Sequence, residues 1–362
     1  MRFADALRAE DILKTLYSVV SIPSPSGNEG RVVKALIDIA ESMGLDAWVD
    51  RATNFYAAPR NAPSQPLILL ASHVDTVRDW FPASLEDGAV RGRGAVDAKG
   101  PLVSMIYAVA TLARIDDSLP VWVAGFVGEE ADSPGAKYFL ETGPRSIRHI
   151  VIGEPTGTTR IAIGYRGSAR IAVACSGRGG HSASPWMGES ALLKAAKIVE
   201  ELAARKPSVA EVTFTPTRLV AGEGDNVVPM KAELILDTRI PPGKDLGNAL
   251  EELQRILPTG CEARAMGEYV PPVKVSLNKP VPRALVRAIL RIGEKPRPVV
   301  KAGTSDMNYL VRMTDSIAAY GPGDPSLAHT RLERITGEEL LKAIQVYVEA
   351  VLELLRGKNT LG

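Results

Sequence analysis

The segment LILLASHVDTV, residues 67–77, constrains the fold of this chain more than any other. Leu67 to Ala71 form the unbroken apolar run of a buried strand, and His73 and Asp75 follow it one residue apart. Side chains i and i+2 of a strand share a face, so the imidazole and the carboxylate project together where the apolar run stops. In open α/β sheets the strand ends, and the loops after them, form the ligand crevice. A core strand that ends this way therefore predicts chemistry at its tip.

The rest of the chain supplies a sheet for that strand. Helical periodicity over 9–21 and 28–43 is followed by strands at 46–50, 53–58, 67–73, 119–127 and 148–153, with a helix near 101–115. Strands alternating with helices predict an α/β domain, its central sheet covered by helices. After residue 163 the texture changes. SARIAVACSG reads as a strand, 187–204 as a helix, 210–219 and 231–239 as strands, 246–257 as a helix and 261–269 as a strand. That β-α-β-β-α-β order is the ferredoxin-like α+β pattern. YVPPVKVSLNKP reads as a return linker, followed by a helix from 281, strands near 297–301 and 316–320, and a last helix at 337–355. The expected division is thus 1–163 and 274–362 as one domain, with 164–273 inserted. A chain of 362 residues also exceeds the ~250–300 at which one core stops growing.

A formal net charge of +1 gives no reason to expect nucleic acid or an anionic membrane as partner. MRFADALRAEDILKTLY has no apolar signal region, and no apolar run approaches the ~20 residues of a membrane span, so the expected location is cytoplasmic. Cys175 and Cys261 fit no metal or redox spacing and read as free buried thiols in a reducing compartment. Glutamine occurs only at positions 65, 254 and 345, a scarcity of thermolabile residues that hints at a thermophilic source.

The chemistry gathers at strand ends. Of the four histidines, His73, His181 (GGHSASP) and His329 (SLAHTR) lie in polar or glycine-rich contexts, while His149 reads as structural. Asp97 sits in GRGAVDAKG, Glu129 and Glu130 close one strand, and Glu154 closes another. Carboxylates converging from several strand ends repel one another unless cationic charge lies between them. Two histidines and three carboxylates can hold two divalent cations if one carboxylate is shared, and this donor set suits zinc, cobalt or manganese. Of the adjacent Glu129 and Glu130, one can bind metal while the other serves as base. Asp75 is placed to orient His73 from behind.

SHVDTV, GRGAVDAKG, GEEADSPGAK, GEP, GGHSASP, GTSDM and HTRLE, in this order, resemble the metallopeptidase family of acetylornithine deacetylase, succinyl-diaminopimelate desuccinylase, aminoacylase and carboxypeptidase G. The resemblance implies a zinc-peptidase-like catalytic domain with a mixed central sheet and an inserted lid and dimerisation domain. GRGAVDAKGPLVSMI, PPVKVSLNKPV, KAGTSDMNYL and YGPGDPSLAHT are similar to the branch that releases lysine or ornithine from the γ-carboxyl of a C-terminal glutamate on a small acidic amino-group carrier protein, at the end of lysine or arginine biosynthesis. By the same resemblance His73 and Glu154 hold one metal, Glu130 and His329 the other, and Asp97 bridges them. Glu129 takes the general-base place and Asp75 the place behind His73. His181 stabilises the oxyanion, often across a homodimer. Asn226 and Arg239 touch the substrate end, and Gly303, Thr304 and Ser305 belong to a backbone-rich loop that meets the substrate carboxylate. A cis peptide is implied after Asp97, and Ala98 stands where much of the family has a second acid.

Two further readings share these motifs: a deacylase or dipeptidase of the same family acting on a small substrate such as N-acetylornithine, and a non-catalytic metal-dependent binding protein, against which intact Glu129 argues. A serine hydrolase using Ser182 or Ser305 lacks a nucleophile-elbow motif. Between Pro155 and Gly188 the chain has no acid but carries Arg160, Arg166, Arg170 and Arg178, which read either as a solvated strand face that lacks acids or as a positive rim for an acidic carrier.

Overall fold

The structure, a computed structural model, describes residues 7–356. The chain forms two compact units, Met1–Ile163 with Val275–Val299 and Ser305–Gly362, and Gly164–Lys274 with Val300–Thr304. The short segment Val300–Thr304 thus groups with the second unit.

The first unit is built from α1 (Ala9–Val20), α2 (Gly30–Ser42), β1 (Leu45–Val49), β2 (Phe55–Pro59), β3 (Ile68–His73), α3 (Lys99–Ala113), β4 (Val121–Phe126), α4 (Pro134–Thr142), β5 (His149–Gly153) and β6 (Arg160–Tyr165), the last straddling the boundary. The second holds β7 (Gly167–Ser176), α5 (Ala191–Ala203), β8 (Thr213–Ala221), β9 (Lys231–Ile240), α6 (Leu246–Gln254) and β10 (Cys261–Val270). The chain then adds α7 (Pro280–Arg291), β11 (Ile317–Tyr320) and α8 (Gly337–Arg356) to the first unit.

The central sheet runs in the order β1-β2-β4-β3-β5-β11-β6. β3 lies parallel to both β4 and β5, β11 is parallel to β5, and the outer pairs are antiparallel. Every residue of β3 is buried, as expected of a central parallel strand covered on both faces. The cover includes α3, buried along nearly its whole length, and α8 packs on α3 and α7. The Tyr347 hydroxyl fastens α8 to the sheet by donating to the Tyr320 carbonyl at 2.7 Å. Four parallel strands thus bring their carboxyl ends to one edge. The sequence pattern missed β6 and a small sheet of Ser84–Glu86, Ala89–Arg91 and Arg334–Thr336, each of these three strands too short for alternation to register.

In the second unit the four long strands form an antiparallel sheet ordered β8-β9-β7-β10. One face packs Ile171, Val173, Leu234 and Leu236 against Ala195 and Ile198 of α5 and Leu253 of α6. The expectation of two free thiols is corrected here. Register sets Cys261 directly opposite Cys175, and the two form a disulfide. Sequence separation alone could not show that pairing, because it depends on which strands become neighbours.

Arg166 corrects a second expectation. Its side chain is not a surface charge but is 4% exposed, and its guanidinium donates to the Glu211 carbonyl at 2.6 Å, the Thr213 hydroxyl at 2.9 Å and the Arg239 carbonyl at 2.7 Å. Arg160, Arg170 and Arg178 remain exposed. Replacing Arg166 by methionine leaves these acceptors without their donor, and we expect a loss of ~2–3 kcal/mol in denaturant unfolding of the protein. A matching Arg170→Met change, at an exposed site, should stay within ~0.5 kcal/mol.

Candidate metal centre

The candidate ligands leave the carboxyl ends of the parallel strands. His73 is the last residue of β3, Glu154 follows β5, and His329 lies in the segment after β11. Glu129 and Glu130 follow β4 across Gly128, whose φ of +72° belongs to the left-handed region that glycine enters freely. Asp97 lies just before α3, and the Asp97–Ala98 peptide is cis.

Three sets of side chains place one potential ligand atom each within 4.8 Å of the others: His73, Asp97 and Glu154; Asp97, Glu130 and His329; and His73, Glu129 and Glu130. The first two share Asp97. Its Oδ1 lies 3.1 Å from His73 Nε2 and its Oδ2 lies 3.4 Å from His329 Nε2. His329 Nε2 also lies 2.8 Å from Glu130 Oε1. Asp97 therefore turns one oxygen to each histidine.

Asp75, fully buried, organises what lies behind. Its Oδ1 is 3.3 Å from His73 Nδ1 and accepts the Glu129 amide at 3.0 Å, while Oδ2 accepts the Glu130 amide at 3.0 Å and the Ser26 hydroxyl at 2.6 Å. One carboxylate thus fixes the back of the imidazole and the backbone of both glutamates. Burial opposes its ionisation, but the His73 hydrogen bond, the His73 charge, Ser26 and the Glu130 amide hold it below the usual carboxylate range.

The electrostatics show how crowded the centre is. Burial, and then Glu154, Asp306 and Glu130 against the pull of His73, hold Glu129 well above the usual carboxyl range. Hydrogen bonds to Asp97 and Glu130 raise His329 to about 10. Burial lowers His73, but its hydrogen bonds to Asp75 and Asp97 outweigh that and raise it well above the ordinary imidazole value. Asp306, absent from the residues expected above, also belongs here. It is 3% exposed, its Oδ1 has no hydrogen-bond partner, and burial raises it to about 7, with Glu154 and Asp75 adding to the shift. Its only sequence signal is its place in the GTSDM motif. Six carboxylates against two imidazoles leave a strong excess of acceptor charge, and the mix of imidazole nitrogen and carboxylate oxygen fits a pair of divalent cations of the zinc type.

Of the other expected residues, His181, Asn226, Arg239, Gly303 and Thr304 belong to the second unit and Ser305 to the first. His181 and Asn226 sit together in the second unit, on a two-stranded ribbon where His181 faces Val227 and the Ser182 amide donates to the Asn226 carbonyl at 3.0 Å. His181 Nδ1 accepts the Ala183 amide at 3.0 Å, so the neutral ring carries its proton on Nε2. Arg239 forms a fork with Asp237 at 2.8 and 3.1 Å. Gly303 is exposed and Thr304 half-buried, while Ser305 is buried with its amide donating to Asn308 Oδ1 and its hydroxyl accepting the Met307 amide. That hydroxyl serves the start of a short helix. His149 pairs with the Ser316 hydroxyl at 2.9 Å, as a structural histidine should.

Residues 69–353 match the model of the protein family described as Peptidase family M20/M25/M40. A relative from Pyrobaculum aerophilum is 39% identical over 357 residues, 95% of this chain and 98% of that protein. One from Saccharolobus solfataricus, described as [LysW]-lysine/[LysW]-ornithine hydrolase, is 37% identical over 339 residues, 94% of each chain. Among solved structures, the Bacillus subtilis YXEP protein, described as a dinuclear metal binding peptidase from the M20 family, aligns with a TM-score of 0.75 at 19% identity, covering 96% of this chain and 98% of its own. That likeness is one of fold. No helix of the described residues is long and apolar enough to cross a membrane.

Asp75→Asn puts an amide donor where two backbone N–H groups and an imidazole need acceptors. We expect cation affinity 10–100-fold weaker, the usual effect of losing the group behind a ligand histidine. Competition titration against a chromophoric chelator measures it.

Proposed function

This chain belongs to peptidase family M20/M25/M40, and from that membership we propose that it is a di-metal amidohydrolase that frees lysine or ornithine from the γ-carboxyl of a C-terminal glutamate on a small acidic amino-group carrier protein. The observation that carries the catalytic part is Asp97 with one oxygen toward each histidine, beside a Glu129 carboxylate to which no described group donates a hydrogen bond. The carrier-protein part is supported by the relative named for that activity.

In this reading His73 and Glu154 would hold one cation, Glu130 and His329 the other, and Asp97 would serve both. Zinc or cobalt fits the donors best, with manganese next. When bound, the cations supply Lewis acidity that acidifies water and polarises the scissile carbonyl. Glu129 takes the proton of the attacking water. A C–O bond forms, the C–N bond breaks, and Glu129 delivers that proton to the departing amine. His181, with Nε2–H free to donate, stabilises the oxyanion. Asn226, Arg239 and the 303–305 backbone meet the substrate end. The insert, 164–273, acts as lid and homodimer contact. The exposed Arg170 and Arg178, in a stretch without acids, attract the acidic carrier.

The deciding experiment offers the purified protein carrier–lysine and carrier–ornithine adducts. Release of free amino acid, its loss with chelator and its return with zinc or cobalt are expected. Turnover of N-acetylornithine at equal or higher kcat/KM would instead make the protein a small-substrate deacylase. Glu129→Gln should lower kcat by roughly 10²–10⁴ while metal content by mass spectrometry stays that of the parent. Arg170→Glu and Arg178→Glu, like added salt, should lower kcat/KM far more for the carrier adduct than for a glutamyl-lysine isopeptide.

A further inference from the structure

Arg93 of GRGAVDAKG and Glu333 of HTRLE are charged residues of the quoted motifs that lie outside the ligand set. Their side chains are 1% and 0% exposed and form an ion pair, Arg93 Nη1 with Glu333 Oε1. Burying two charges is unfavourable unless every lone pair and proton finds a partner. Here they do, and the partners are informative. Glu333 Oε2 accepts the amides of Gly94 and Val96 at 2.9 and 3.2 Å, the two N–H groups just before Asp97. Arg93 Nη1 donates to the Thr330 carbonyl at 3.2 Å, and Nη2 lies 3.5 Å from the carbonyl of His329 itself. Its Nε donates to the Asp79 carbonyl at 2.7 Å, in the loop that leaves Asp75.

The pair therefore clamps the loop carrying Asp97 to the loop carrying His329. His329 needs such a clamp, because its φ of +62° is the left-handed conformation that residues with a Cβ avoid. By contrast His73 and Glu154 come from the ends of β3 and β5, whose places the sheet already sets. The two candidate cation sets thus differ in what holds them.

We propose that Arg93 and Glu333 are positioning residues that set the spacing of Asp97 and His329, so that the Asp97–Glu130–His329 set takes up its cation only while this buried pair is intact. The inference rests on the two-cation reading above. The consequence is asymmetric: damage to the pair displaces both Asp97 and His329 at one cation position but only the shared Asp97 at the other, so the first weakens more.

Cobalt(II) titration of the metal-free full chain, followed by calorimetry and by visible absorption, tests this. The wild type should bind two equivalents. Arg93→Lys keeps the charge but loses the fork, and Glu333→Gln keeps one acceptor but places an amide donor against Gly94, Val96 or Arg93. Both should bind one equivalent 10–100-fold more weakly and weaken the other by several-fold at most, with kcat restored at correspondingly higher cobalt. Equal weakening at both positions, or no change at either, would overturn the inference, as would an Arg93→Lys protein that fails to fold. If only Glu333→Gln fails to fold, Arg93→Lys decides alone. Fewer than two equivalents in the wild type would defeat the two-cation reading itself, a separable outcome.

Discussion

The centre hangs on one buried carboxylate. Asp75 receives the back of the His73 imidazole, the amides of Glu129 and Glu130 and the Ser26 hydroxyl, and so ties together the ends of β3 and β4 and the segment after α1. Because parallel β3 and β4 are neighbours in register, the residues just past their ends are brought close. Asp75 converts that closeness into fixed directions. A glutamate pair with a pinned backbone can then give its two side chains different jobs, one toward His329 and one toward His73.

The second constraint is charge. Burial and neighbouring carboxylates raise the proton affinity of two of the six carboxylates, Glu129 and Asp306. Divalent cations would relieve that repulsion. Arg93 and Glu333 contribute differently. They add no net charge, and they hold the loop carrying Asp97 to the loop carrying His329.

Much of this was legible in the sequence, for physical reasons that can be named. Parallel strands buried on both faces read as apolar runs, so β3, β4 and β5 and the polar residues that end them stand out. Periodicity also gave the β-α-β-β-α-β order of the second unit. What failed depends on neighbours that the local sequence does not name. Arg166 looks like any exposed strand arginine until Glu211, Thr213 and Arg239 surround it. Cys175 and Cys261 look like separate thiols until β7 and β10 align. Asp306 is one acid in a motif until the fold sets it near Glu154, and Glu333 is one until it meets Arg93.

The most direct measurement is anomalous diffraction from crystals of the protein grown with cobalt or zinc. The proposed roles lead us to expect two anomalous peaks, one coordinated by His73 and the other by His329, each bound to a different oxygen of Asp97, with Glu129 beside them and outside both coordination spheres. A single peak, or two peaks that do not share Asp97, would contradict them.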